Sequence, residues 1–256
     1  MGGRRGNGKS TPASDVPTAD EPAGETTRRD WMRASAGIAL SGFLPAGFAA
    51  GAAAPDGPRP NSISGTDALK RLMDGNARYA SNQPNEKDFS SGRAARATAQ
   101  YPIATILSCA DSRVAPEFAF DQGPGDLFVV RVAGNVVSPD LLASIEYSVE
   151  FLGVPLVLVI GHGNCGAVDA AIKVLKKGVT LPGHLPDLIR AIKPAVIIAE
   201  KSAKGDLLDN AIAENVRRQV AALKRASPVV KKYFEDGKIA IAGGVYDLAT
   251  GRVAPV

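Results

Sequence analysis

Soft metal ligands are scarce in this 256-residue chain, which has two cysteines, Cys109 and Cys165, and two histidines, His162 and His184. Two cysteines cannot build a disulfide framework, and so few Cys and His exclude a multi-zinc protein. Aromatics make up 5% of residues, with a single tryptophan. An excess of one charge is missing too. Lys plus Arg number 30 against 26 acids, a formal net charge of +4, so composition asks for no nucleic-acid partner. Beyond the N-terminal fifth there is no long apolar run. The strongest, Val154 to Ile160, is far short of the roughly 20 residues that cross a bilayer. What is present, 45% hydrophobic and 22% charged residues, suits one globular domain of ordinary size with an extension.

The extension comes first. Met1 to Thr27 is polar and rich in Gly, Pro, Thr and Ala, which reads as disorder. Arg28-Arg29-Asp30-Trp31-Met32-Arg33 then precedes a weakly hydrophobic stretch, Ala34 to Ala50, and a small-residue cluster, Ala50 to Ala54. That is the order of a signal peptide: charged region, apolar region, cleavage site. The arginine pair, with Trp and Met after Asp30, resembles a twin-arginine export signal. Cleavage is expected after Ala52, because cleavage after Ala54 would set Pro55 next to the cut bond. Gly37, Gly42, Pro45 and Gly47 weaken the alternative, an uncleaved membrane tether. Removing residues 1–52 leaves 24 basic against 21 acidic side chains, a nearly neutral exported body with no stable membrane span.

Residues 53–100 read as a Pro-rich leader and an N-terminal helical arm. Ser64 to Asp67 resembles a capping box, and Leu69, Leu72, Met73, Asn76 and Tyr79 recur at helical spacing, predicting a helix over 65–82. It is expected to lie beside the main domain, with a face for a partner. Residues 101–256 form the α/β domain. Ile103–Ser108, Leu127–Val132, Leu156–Ile160 and Ile239–Ala242 read as buried strands. Helices open at Ser138-Pro139-Asp140 and near Asn164, and fill 185–204 and 207–225. Alternation of this kind predicts a mainly parallel central β-sheet flanked by helices. Val245 to Val253 reads as a closing hairpin.

On that map Cys109 follows the first strand and His162 the third, at the carboxyl ends where open α/β sheets bind ligands. Cys165 lies three residues beyond His162 at a helix start. Cys2His with one position left over is zinc chemistry. Three other readings stand beside it: inert buried side chains, a structural zinc knuckle lacking its fourth Cys or His, and a redox pair without C-x-x-C spacing. Asp111 can reach a metal held by Cys109, and Arg113 can form a bidentate pair with Asp111. With Arg113 engaged the carboxylate is held off the metal; with Arg113 released it closes the site.

Cys109-Ala-Asp-Ser-Arg-Val114, Gly125-Asp-Leu-Phe-Val-Val-Arg131, Ser144-Ile-Glu-Tyr147 and Gly161-His-Gly-Asn-Cys-Gly166 together resemble, in order and spacing, the β-class carbonic anhydrases, over residues about 65 to 250. The resemblance implies a Zn2+ ion per subunit held by Cys109, His162 and Cys165, with Asp111 as fourth ligand or as partner of Arg113. It implies reversible hydration of carbon dioxide to bicarbonate by a zinc-bound hydroxide, with Asp111 and Arg113 as the catalytic pair. Gln100 takes the place of the family's substrate-orienting glutamine, and Phe128 and Tyr147 match its apolar carbon dioxide pocket. Dimers or larger homo-oligomers follow, the N-terminal arm wrapping a neighbour.

Two positions depart from the family. Ile106 stands where some bacterial members carry the Trp of an inhibitory bicarbonate pocket, so no such site is expected. Val132-Ala-Gly-Asn135 replaces a more usual Asn-x-Ala-Asn. His184, in a Pro-flanked loop, reads as solvated rather than as a proton shuttle. The alternative functions are hydrolysis of a related cumulene, carbonyl sulfide or carbon disulfide, and a non-catalytic zinc-stabilised binding module. A twin-arginine route would let zinc load in the reducing cytoplasm before export.

Overall fold

Four short apolar runs separated by helical segments become four parallel strands of one sheet. The computed structural model describes residues 63–256 apart from Ser91, Ala203 and Lys204. The export signal, its cleavage point and the leader to Ser62 lie outside the described residues. In chain order the elements are α1 (Gly65–Ala80), α2 (Arg93–Arg96), β1 (Ala104–Ser108), α3 (Pro116–Ala119), β2 (Leu127–Arg131), α4 (Pro139–Glu150) and β3 (Leu156–His162). Then follow α5 (Gly166–Lys177), α6 (Leu185–Ala199), α7 (Leu207–Lys224), α8 (Val229–Glu235), β4 (Ala240–Tyr246) and β5 (Val253–Pro255).

The sheet order is β2-β1-β3-β4-β5. β1 to β4 run parallel, and β5 returns antiparallel on β4, closing the hairpin expected near the C-terminus. Every residue of β1 and β3 is buried, which is why their sequences are continuous apolar runs rather than alternating ones. Alternate side chains then feed opposite layers. Ile106, Leu158 and Ile160 pack with Ala68 and Leu72 of α1 on one face. Leu107, Val157 and Val159 pack with α4, α7 and α8 on the other. A third cluster, from α5, α6 and α7, gathers around Cys109 and Cys165 at the carboxyl edge.

β4 continues past the predicted Ala242 through Gly243 and Gly244 to Tyr246. Those glycines carry no apolar signal, yet a side chain on Gly243 would come within 2.6 Å of Val216 Cγ1, and one on Gly244 within 2.7 Å of Val253 Cγ1. Their smallness admits α7 and β5.

The arm corrects the expectation of a helix beside the domain. α1 packs into the chain's own core, with Ala68 and Leu72 fully buried. Two features draw it in. A side chain at Gly75 would sit 1.9 Å from the Phe120 carbonyl oxygen, so only glycine lets the backbones approach. Asn76 then donates to the Ala119 and Gly251 carbonyls and accepts from Val253 N, stitching α1 to α3 and the hairpin. At its start, Ser64 Oγ accepts from Asp67 N at 3.0 Å and donates to Asp67 Oδ2 at 2.7 Å. The aspartate, one carbon shorter than the glutamate of a capping box, closes on the hydroxyl. Among the described residues no helix is long and apolar enough to cross a membrane.

Candidate metal centre

Neighbouring strands β1 and β3 deliver the ligands to one edge. Ser108 is level with Ile160, so Cys109 and His162 emerge side by side. Gly163 and Asn164 then turn the chain, Asn164 in the left-handed region at φ +52°, and Cys165 caps α5. The three side chains are buried, and their ligand atoms all lie within 4.8 Å of one another. A tetrahedral site with bonds of about 2.0–2.3 Å sets its ligand atoms roughly 3.5 Å apart, so this set needs little adjustment.

The histidine tautomer follows from one contact. Nδ1 of His162 lies 2.8 Å from the Gly163 carbonyl oxygen, which can only accept, so Nδ1 carries the proton and Nε2 keeps its lone pair. Nε2 is buried without a hydrogen-bond partner. Such an orphaned acceptor beside two cysteine sulfurs fits a metal ion and offers poor packing otherwise.

The thiols divide the acidity between them. Cys109 is pushed down, first by Cys165 beside it, against burial, and then by His162 and the Gly134 N–H. That N–H donates to Cys109 Sγ at 3.3 Å. Cys165 is pushed up by the neighbouring Cys109 and by burial. Burial lowers the His162 imidazole, but Cys109, the Gly163 carbonyl and Asp111 outweigh it and the net shift is upward.

Asp111 is engaged by Arg113. Nε donates to Oδ1 at 2.9 Å and Nη2 to Oδ2 at 2.7 Å, and the Arg113 backbone N–H adds a 2.9 Å bond to Oδ1. The guanidinium, outweighing partial burial, holds the carboxyl well below the usual carboxylate range. Nη2 also reaches the Asn164 carbonyl at 3.4 Å, linking the two ligand loops.

Arg131 was not singled out from sequence. It donates to the carbonyls of Cys109, Asp111 and Val114 at 3.0, 2.7 and 2.7 Å, caging the loop that carries the first ligand and the pair. The available signal was a cation ending an otherwise apolar strand. The Val132-Ala-Gly-Asn135 departure also acquires a purpose. Gly134 and Asn135 adopt positive φ, at +76° and +45°, and so aim the Gly134 N–H at the thiol sulfur.

The residues matched to the substrate pocket stand apart from this centre within one chain. Phe128 is level with Thr105, three residues or about 10 Å short of Ser108 along the sheet. It packs 6.2 Å from Tyr147, which in turn lies 5.4 Å from Phe151. Gln100 is exposed ahead of β1, also toward the amino ends of the strands. Ile106 is fully buried between Val129 and Leu158. His184 is exposed before α6.

Comparison with known proteins agrees with this geometry. A family model described as carbonic anhydrase matches residues 104–253. The chain is 41% identical to a carbonic anhydrase of Mycolicibacterium smegmatis over 77% of its own length and 94% of the relative's. It is 39% identical to carbonic anhydrase 2 of Mycobacterium tuberculosis, over 76% and 93%. Among solved structures, a Coccomyxa β-carbonic anhydrase in complex with acetazolamide superposes with a TM-score of 0.57 at 28% identity, covering 76% of this chain and 87% of that one. The β-carbonic anhydrase CcaA gives 0.57 at 27%, covering 73% and 94%.

Proposed function

We propose a reaction for this chain, which belongs to the β-class carbonic anhydrases: the zinc-dependent, reversible hydration of carbon dioxide to bicarbonate and a proton. One observation carries it, the convergence of Cys109, His162 and Cys165, with the orphaned His162 Nε2 among their ligand atoms, beside an Asp111 that is hydrogen-bonded by Arg113. Two thiolates and a neutral imidazole suit zinc and leave a fourth position for chemistry. When bound, zinc acts as a Lewis acid that lowers the pKa of a coordinated water from 15.7 to about 7.

The chain's own groups supply the rest. Asp111, ionised across the working pH range, accepts a hydrogen bond at the fourth position and orients the nucleophile's lone pair toward substrate. Arg113 fixes that carboxylate through both oxygens and prevents it from taking the fourth position itself. Gln100 donates from its amide to a substrate oxygen, and Phe128 and Tyr147 offer an apolar wall from which water is excluded.

Since one chain sets those three residues toward the other end of the strands, the reading includes a second copy. Homodimers or larger assemblies bring Gln100, Phe128 and Tyr147 of a neighbour to the Cys109 site. Tyr147 and Phe151, 47% and 70% exposed and in contact with each other, support such a contact surface. The reading also includes export by the twin-arginine route, supported by Arg28-Arg29 and by the value of loading zinc before the thiols meet oxidant.

The test is stopped-flow hydration of carbon dioxide by the zinc-loaded, signal-free protein. A rate well above buffer between pH 7 and 9 is expected. No such rate with zinc bound, or turnover of carbonyl sulfide or carbon disulfide in its place, overturns the assignment. A reporter fused after Pro60 tests the compartment: cytoplasmic retention, or equal export with Arg28→Lys and Arg29→Lys, overturns it.

A further inference from the structure

We propose that Asn215 and Gln219 of α7 are positioning residues for the metal centre, acting through Gly134 on the Cys109 sulfur; the proposal rests on the zinc reading above. α7 buries a largely apolar face, Ala211, Ile212, Val216 and Leu223, yet that face also carries two amides, Asn215 at 1% and Gln219 at 7% exposure. Buried amides are retained only where hydrogen bonds replace water.

Here the bonds form a directed chain. Gln219 Oε1 accepts from Val137 N at 3.0 Å, and Gln219 Nε2 donates to Asn215 Oδ1 at 3.2 Å. With its oxygen so occupied, Asn215 must present nitrogen to the loop, and Nδ2 donates to the Gly134 carbonyl at 2.8 Å. Gly134 N then donates to Cys109 Sγ. The loop is gripped at both ends, residues 134 and 137, from a helix about eighty positions away in sequence.

The loop turns sharply between the two grips, through Gly134 and Asn135, both at positive φ, the left-handed region that Gly and Asn enter most readily. A side chain at Gly134 would also meet Ile192 Cδ1 at 2.6 Å, so the loop is pressed against α6. The same helix α7 fixes the second ligand strand. A Cβ on Gly161, just before His162, would lie 2.7 Å from Val216 Cγ2 and 3.3 Å from Ile212 Cγ2. α7 thus holds the N–H donor of one ligand in register with the strand bearing another. An N–H···S bond draws charge from the thiolate and fixes its direction, as partners behind metal ligands generally do.

The experiment uses the mature protein loaded with zinc or with cobalt(II). Asn215→Leu and Gln219→Met preserve side-chain volume and remove the bonds. Each is expected to melt cooperatively, to lose roughly tenfold or more in zinc affinity by chelator competition, and to shift the thiolate-to-cobalt charge-transfer absorption to longer wavelength. The shift arises because a sulfur without its N–H donor releases an electron more readily. Asn76→Leu, which breaks an equally buried amide bridge far from the centre, should lower the melting temperature and leave band and affinity unchanged.

If Asn215→Leu fails to fold, Gln219→Glu reads the same band, since it keeps an acceptor for Val137 N and loses the donor to Asn215. Variants that fold with unaltered band and affinity overturn the proposal, as does an Asn76→Leu protein with the same shift. A wild-type protein without any thiolate–cobalt band overturns the zinc reading itself, a result distinct from both.

Discussion

Arg113 grips both carboxylate oxygens of Asp111, at 2.9 and 2.7 Å, and leaves Asp111 Oδ2 only 3.8 Å from His162 Nε2. Removing the grip should therefore close the site rather than empty it. Arg113→Leu is expected to retain zinc and lose about 100-fold in carbon dioxide hydration. X-ray absorption should find an added carboxylate oxygen on the metal. Unchanged activity in the zinc-loaded variant would show that Asp111 needs no restraint.

The three ligands should fail together. Cys109→Ser, His162→Ala and Cys165→Ser are each expected to lower bound zinc and abolish measurable hydration, while chelation of the wild type does the same reversibly. Binding to the folded chain alone also stabilises it, by about 2.7 kcal/mol at a hundredfold excess of free metal over Kd. Thermal melts with and without zinc check this, and coincident curves would contradict it.

Arg131 separates positioning from charge. Its planar fork meets three carbonyls that one ammonium cannot reach together. Arg131→Lys should therefore behave nearly as badly as Arg131→Leu, with a stability loss of about 2 kcal/mol by urea titration and a matching fall in kcat. A fully active lysine variant would mean that charge alone suffices.

Asp121 ties α1 and the segment after it to the domain. Its side chain is fully enclosed, with Arg78 Nε at 2.7 Å, Asn85 N at 3.1 Å and Lys87 Nζ as a third donor. Burial raises the carboxyl, but these partners outweigh it and the net shift is downward. A depressed carboxyl stabilises the fold above its unfolded pKa of about 3.9 and loses that contribution as pH falls below it. Asp121→Asn should thus cost about 2–3 kcal/mol near pH 7, and the gap between the two melting curves should narrow below about pH 4. A gap independent of pH would disprove the ionic origin.

The aromatic strip gives a test of assembly. Phe151→Glu places a charge beside Tyr147 without touching the ligands. It is expected to shift sedimentation toward a single chain and to lower hydration sharply with zinc still bound. An active monomer would remove the second copy from the reading.

Legibility followed sequence distance. The central strands could be read as continuous apolar runs because both their faces are buried, α1 could be read because one-sided burial imposes a helical period, and Ser138-Pro139 and Ser64 marked helix starts through local backbone chemistry. α3 and α8 were missed, being one or two turns long, too short for a period to register. The far half of β4 was missed because Gly243 and Gly244 are chosen for what packs on them.

By itself the sequence determined that Cys109, His162 and Cys165 meet. Each stands at a strand end or helix start, and parallel strands bring their carboxyl ends to one edge. The resemblance in their spacing reached the family. Tertiary structure alone decided that Arg131 cages the ligand loop, and that Asn215 and Gln219 reach the Cys109 sulfur through Gly134. It also turned the arm helix inward, through Gly75 and Asn76. These are hydrogen bonds and close approaches between segments distant along the chain, and no local pattern of side chains encodes which partner a buried donor will find.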